Sequence, residues 1–220
     1  MSERQKYRIA PEKITQPCLI LVEGDDDARF IDRLLKHCNL KDNTQVLEIN
    51  GKSEFRFSIQ LALKERIVQA ICCIQDADDC PSDALHALRA AISNAGIAPP
   101  EEPCEIGIGP PSIAYLLLPL GDIPGCIESF LLPTVRQLTD EHRACIDTLY
   151  TCVQHDFEGR VAVWDESRLL VTMALWANGT RSVGLAAERN HFNLDHPILD
   201  PLKDFLRRFA ECCPNIPAVS

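Results

Sequence analysis

Two short apolar runs that each end on acids constrain this chain more than any other feature. Cys18-Leu19-Ile20-Leu21-Val22 follows Pro17 and halts at Glu23-Gly24, and Ala70-Ile71-Cys72-Cys73-Ile74 runs out into Asp76, Asp78 and Asp79. A strand with one wet face would alternate apolar and polar residues, whereas both runs are apolar throughout, so each predicts a strand buried on both faces. Thr44 to Ile49 reads as a third strand, closed by an Asn50-Gly51 turn. Helical spacing follows each strand: Phe30, Ile31, Leu34, Leu35 and Cys38 after the first, Phe55, Ile59, Leu63 and Ile67 after the next. After the Ala70 run come Leu85, Leu88 and Ile92 up to Gly96, with Ser82 as the expected N-cap. This alternation predicts an α/β fold with a mostly parallel sheet and helices on both faces.

Beyond a Pro- and Glu-rich connection at 98–105, Glu105 to Ile108 and Ile113 to Leu118 read as two more strands, joined by Gly109-Pro110-Pro111. A mainly helical stretch then begins at 126–132. Val135, Leu138, Cys145, Ile146, Leu149 and Cys152 form one apolar stripe, Leu169, Leu170, Met173 and Trp176 another, and a last helix runs from about Leu199 to Cys212. The expected organisation is an N-terminal extension over 1–16, an α/β core over 17–132 and a helical elaboration over 133–220 packed on that core. With 220 residues, the chain can bury one sizeable core.

The chemistry-bearing residues follow from the strand assignments. In a parallel sheet the functional edge lies beyond the carboxyl ends of the strands, where Glu23, Asp76 and Asp78 all fall. Asp76 and Asp78 point the same way if the chain stays extended through Ala77, and two carboxylates then suit one hard, oxygen-liganded cation. Like charges that close need a cation between them or a raised pKa. Asp25 and Asp26 read as surface residues that complement a helix dipole, as does Asp83. Lys52 is either a phosphate contact or a solvated turn lysine. Gly51-Lys52-Ser53 imitates the end of a Walker A motif, but Val46 stands where that motif needs glycine, which excludes a P-loop.

The residues L-I-L-V-E-G at 19–24 and I-Q-D-A-D-D at 74–79 resemble the two signatures of the Toprim superfamily, a strand-end Glu-Gly and a strand-end Asp-x-Asp. Asn50-Gly51-Lys52 is similar to the glycine turn after the second Toprim strand. In order and spacing the likeness is to the Toprim domains of OLD-family nucleases and to a small stand-alone Toprim family. Pro124-Gly125-Cys126-Ile127-Glu128 resembles the P-G-x-x-E element of the latter, and Phe192-Asn193-Leu194-Asp195-His196-Pro197 resembles its closing segment. The resemblance covers residues 17 to 209 and implies a Rossmann-like Toprim fold. It implies Mg²⁺, or Mn²⁺, at Asp76 and Asp78, and Glu23 as general acid or base or as a further ligand. Asp79 and Asp27 are extra acids, expected as additional ligands, and Glu128 is carried over as a member of a second metal position. Lys52 joins the expected catalytic set as the phosphate contact.

The implied activity is Mg²⁺-dependent phosphodiester hydrolysis of DNA or RNA. OLD-type nucleases join the domain to an ATPase, so the expected partners are nucleic acid and a separate ATPase or other protein, with homodimerisation left open. Two other classes stay in view: a non-enzymatic metal- or nucleotide-binding module that regulates a partner, and a small-molecule phosphoryl or nucleotidyl transferase. Charge separates them. Residues 67–135 hold one basic side chain, Arg89, against nine acids, within a chain of net charge −10. Such a segment repels a phosphate backbone unless cations neutralise it. Clustering of Arg29, Arg56, Arg181 and Arg189 around the acidic edge would favour nucleic acid.

Other classes have no support. No G-x-S-x-G, papain-like cysteine or G-x-G-x-x-G after the first strand is present. Eleven cysteines in apolar settings, with no C-x-x-C pair and only His191 and His196 near the end, predict reduced, buried thiols and no zinc site. The first residues, MSERQKYRIAPEK, do not read as a secretory signal, and no apolar run is long enough to span a membrane, so a cytoplasmic protein is expected.

Overall fold

The computed structural model describes residues 13–136, 138–153, 160–177 and 179–213. Five strands, β1 (Cys18–Val22), β2 (Thr44–Glu48), β3 (Ala70–Asp76), β4 (Ile106–Gly107) and β5 (Ser112–Leu118), form one sheet in the order β2-β1-β3-β5-β4. The first three and β5 are parallel, with Cys18 level with Thr44 and Ala70, and Asp76 level with Leu118. Only β4, at the edge, runs antiparallel.

Strand alternation divides the core. Cys18, Ile20, Val22, Cys72 and Ile74 point to one face. There they meet α1 (Asp25–His37), α4 (Ile127–Leu131), α6 (Val161–Trp176), α7 (Val183–Glu188) and α8 (Asp200–Glu211). Leu19, Leu21, Ile71, Cys73 and Tyr115 point to the other, against α2 (Phe55–Ala62) and α3 (Pro81–Asn94). The α/β Rossmann-like architecture with helices on both faces and helices after the sheet is therefore present. From β1 the chain crosses to β2 through α1 on one face; from β2 it crosses to β3 through α2 on the other. The reversal falls between β1 and β3, which makes their carboxyl ends the crevice of the sheet.

Several local expectations differ from the structure. Helix α2 stops at Ala62, because the amide of Lys64 turns to the carbonyl of Leu61 and the ladder tightens; Leu63 and Ile67 are left partly exposed. Ser82 is not the N-cap of α3: Pro81, whose fixed φ suits a first helical position, begins the helix, so Ser82 lies inside the first turn. The strand expected at Glu105–Ile108 shortens to two residues, with Ile108 fully in solvent after the pairing ends. On α5 (Asp140–Val153) the buried pair is Ile146 and Tyr150, the latter edge-on to Trp164 at 4.9 Å, while Cys145, Leu149 and Cys152 face outward. The expectation of reduced thiols fails at one pair: Cys18, at the start of β1, is bonded to Cys213, just past α8. Among the described residues no helix is long and apolar enough to cross a membrane.

Candidate functional site

Each acid at the β1–β3 crevice is placed by a different backbone device. Glu23 follows β1 directly; its carbonyl accepts the amide of Gly51 at 3.0 Å, which draws the β2 exit turn alongside. That turn needs left-handed backbone at Asn50 (φ 62°) and a positive φ at Gly51 (110°), and it delivers Lys52 to within 3.7 Å of Glu23 Oε2. Asp27 sits in the first turn of α1, where Oδ2 accepts the Gly24 amide at 3.0 Å. Asp76 is the last residue of β3 rather than part of a loop, and its Oδ1 accepts the Ile127 amide at 3.0 Å.

Asp78 departs from the extended path. Its φ of 52° turns the chain, so Asp76 and Asp78 do not project side by side as an extended Asp-x-Asp would. The Asp78 carbonyl accepts the Gly125 amide at 2.7 Å, and the Ala77 amide donates to the Leu118 carbonyl at 2.9 Å. The exits of β3 and β5 are thus sewn together, and this brings α4 with Glu128 up to Asp76. Asp78 itself pairs with Lys52 and stays half exposed. Asp79 lies exposed one residue further on.

Electrostatics identify which acids form a unit. Burial pushes the Asp76 carboxyl well above its usual range, and repulsion from Asp27, Glu128 and Glu23 adds to the rise. Burial likewise lifts Asp27 to about 7, against its Gly24 hydrogen bond and with help from Glu128, Glu23 and Asp26. Glu128 and Glu23 are raised by burial too, Glu128 in part offset by Cys126 and Glu23 in part offset by Lys52. Asp76, Asp27, Glu128 and Glu23 therefore share one field, while Asp78 with Lys52 forms its rim. Glu23 Oε2 is buried with no hydrogen-bond partner. The cluster is short of positive charge and of donors, the two things a hard cation or a phosphate-bound cation supplies. Among the described residues no three His, Cys, Asp or Glu side chains are drawn together into a ready-made metal cluster.

Asp26 has a role that the sequence did not disclose. It is not a surface residue serving its own helix: its carboxylate accepts Ser182 Oγ and the amides of Val183 (3.2 Å) and Gly184 (3.1 Å), capping α7 more than 150 residues away. A clue lay in Ser182, which also caps α7 by accepting the Leu185 amide, but no local pattern links it to Asp26. Among the described residues none of the four arginines is ion-paired to an acid of the crevice: Arg29 is paired with Asp25 and Glu188, Arg189 donates to Thr180, and Arg56 and Arg181 are exposed.

A family profile described as "Protein of unknown function (DUF3226)" matches residues 17–211. The chain belongs to the DUF3226 family. No curated protein matches it. Among solved structures, this DUF3226 chain is similar to the C-terminal region of the OLD protein of Xanthomonas campestris pv. campestris. The two share 14% identity and a TM-score of 0.46, over 90% of this chain and 98% of that one. At that distance the likeness carries nothing about activity. All four acids of the shared field, and Lys52 and Asp78 on its rim, lie within the residues that the DUF3226 profile covers.

Proposed function

We propose that this DUF3226 chain is a divalent-cation-dependent phosphodiester hydrolase acting on nucleic acid, with the acidic crevice as its centre. The observation that carries the reading is the buried Glu23 Oε2 beside Asp76, at the point where the sheet reverses direction, which has no hydrogen-bond partner and only the Lys52 ammonium 3.7 Å away. An oxygen-only donor set under mutual repulsion suits Mg²⁺ or Mn²⁺. Glu23, Asp76, Asp27 and Glu128 would hold it, and Asp78 joins only by giving up Lys52; Asp79 stands outside as an outer acid. When bound, such a cation offsets charge developing on a phosphoryl group and makes water more acidic.

The chain's own residues supply the rest. Ile127 fixes the orientation of Asp76 through its amide. Lys52, tethered between Glu23 and Asp78, offers a positive charge to a phosphate oxygen. Glu23 Oε2, with its pKa raised by burial, is suited to exchange a proton with an attacking water or a leaving hydroxyl.

One observation favours a second reading, in which the crevice binds a cation or nucleotide without hydrolysis: the acidic 67–135 segment with its single arginine. A single assay separates them. The protein is incubated with supercoiled plasmid, single-stranded DNA and RNA in Mg²⁺ or Mn²⁺, beside Glu23→Gln and Asp76→Asn. Hydrolysis lost in both variants is the expected result. Cleavage that survives both substitutions removes the crevice from the chemistry. No cleavage, with cation-dependent thermal stabilisation that Asp76→Asn abolishes, selects the binding module.

A further inference from the structure

Away from the acids, a cavity of about 530 Å³ opens beside the 3₁₀ turn Leu132–Thr134 and the segment Asn193–His196. Its polar residues are Thr134, Arg136, Arg143, Asn193 and His196, and no carboxylate lines it. The Thr134 hydroxyl donates to the Leu131 carbonyl at 2.8 Å, and each of the other four side chains is held so that it presents donors. Arg143 is fixed through its two terminal nitrogens to the carbonyls of Leu132 and Pro133, and Arg136 through Nε to the carbonyl of Phe192 at 2.9 Å. Neither guanidinium has an ion-pair partner among the described residues, and each carries five N–H groups, so donors remain on both. Asn193 Oδ1 accepts the Asp195 amide at 3.2 Å, which leaves its NH₂ group to donate. His196 Nδ1 accepts the Ile198 amide at 3.3 Å, which assigns the ring proton to Nε2. Asp195, the acid closest in sequence, is turned away to His37 at 2.8 Å.

A cavity with two fixed guanidiniums, two further donors and no acid selects an oxyanion, and arginine forks match the oxygens of phosphate. The space is larger than a single tetrahedral anion fills and lies within the range of small-ligand pockets. We propose that this cavity binds the phosphate group of a phosphate ester, through Arg136, Arg143, Asn193 and His196. The proposal stands on the cavity alone. If the hydrolase reading also holds, the cavity becomes a second anchor for the same strand. Helix α4 starts beside Asp76 and runs straight into the Leu132–Thr134 turn. Glu128 and Pro133 are therefore roughly 8 Å apart along the axis, about two nucleotides of a stacked strand.

The test uses the full chain, ¹⁵N-labelled, in EDTA, so that no divalent cation can contribute. Inorganic phosphate is titrated against chloride at matched ionic strength, and a short single-stranded oligodeoxynucleotide is titrated separately, while the side-chain signals of Arg136 Nε–H and Asn193 NH₂ are followed. Saturating shifts at both groups are expected. Binding should weaken about tenfold or more in Arg143→Gln, the effect of losing charge-assisted hydrogen bonds, and stay unchanged in Asp76→Asn. If Arg143→Gln fails to fold, Arg136→Gln, an exposed side chain, makes the same test. Saturation by the oligonucleotide at lower concentration than phosphate supports the site with a polynucleotide backbone as its source. Saturation at equal or higher concentration supports it with a free phosphate ester. Drift that does not saturate and equals that in chloride overturns the inference. Because EDTA removes the cation, failure of the hydrolase assay leaves this result standing, and absence of saturation leaves a positive cleavage result standing.

Discussion

Replacing Asp27 by asparagine isolates the energetic cost of the acidic crevice. In the folded protein this carboxyl is held at about 7 against an ordinary 3.8, chiefly because it is buried. A raised acid favours folding while it stays protonated, so its contribution is full below about pH 4 and is lost as pH rises through about 7. The interval between 3.8 and about 7, at about 1.4 kcal/mol per pH unit, sets a ceiling of roughly 4 kcal/mol at pH 8 and above. Water entering the crevice lowers that figure, and about 2 kcal/mol is the reasonable expectation. Asparagine keeps the shape and, through its Oδ1, can keep the acceptor for the Gly24 amide. In EDTA, Asp27→Asn should therefore match the wild type near pH 4 and exceed it at pH 8. In a domain of this size, the gap corresponds to roughly 4–8 °C in Tm. Urea unfolding at several pH values between 4 and 8 measures it, and Mg²⁺ at pH 8 should narrow the gap by stabilising the wild type more than the variant, which keeps three of the four acids. A variant less stable than wild type at pH 8, or a difference that does not change with pH, would refute the account of the crevice as an unneutralised cluster.

Other perturbations have equally defined outcomes. At Gly125 an added Cβ would lie 2.4 Å from Ser129 Oγ at a φ of 140°, so Gly125→Ala should cost roughly 2–4 kcal/mol. Gly179→Ala, also at positive φ but with nothing within 4 Å, should cost only about 1 kcal/mol; equal losses in thermal melts would mean that the α4 contact is unimportant. Gly184→Ala drives a Cβ to 2.6 Å from Arg29 Cβ and Cδ, and loosening the α1–α7 contact should lower stability by about 1–3 kcal/mol in urea titrations. The Cys18–Cys213 bond closes a separation of 195 residues, so reductant should destabilise the protein by up to roughly 5 kcal/mol. Cys213→Ser should be indifferent to reductant, and identical unfolding midpoints for the wild type with and without it would count against the bond.

The sheet was legible because its strands are buried on both faces, and unbroken apolar runs such as Leu19–Val22 and Ala70–Ile74 have few other uses. Placing Glu23 and Asp76 at strand ends required only that reading. What remained hidden depends on contacts between distant segments. The left-handed turn at Asp78, which separates it from Asp76, is tied to the Gly125 amide 47 positions later. Asp26 looked like first-turn helix charge because its true partners, at 182–184, lie outside any local window. On α5, Cys145, Leu149 and Cys152 are as apolar as Ile146 and Tyr150, and only the position of α6 decides which set is covered. The phosphate cavity left no local mark: its arginines and its Asn193–His196 wall are some fifty residues apart.

The fastening of Asp26 to α7 has a meaning for anyone who would trim this protein. Val183, Ala186, Leu206 and Phe209 share one hydrophobic cluster with Ile20 and Ile74, so the late helices are the second wall of the sheet. A fragment ending near residue 132 would strip that wall. It would bare the apolar faces of α1 and of the central strands, and leave Asp26 with no helix end to accept. The acids of the crevice come from the first 128 residues, yet α1, which carries Asp27, is braced from behind by residues after 180. A minimal version of this site therefore cannot be made by shortening the chain at its C-terminus.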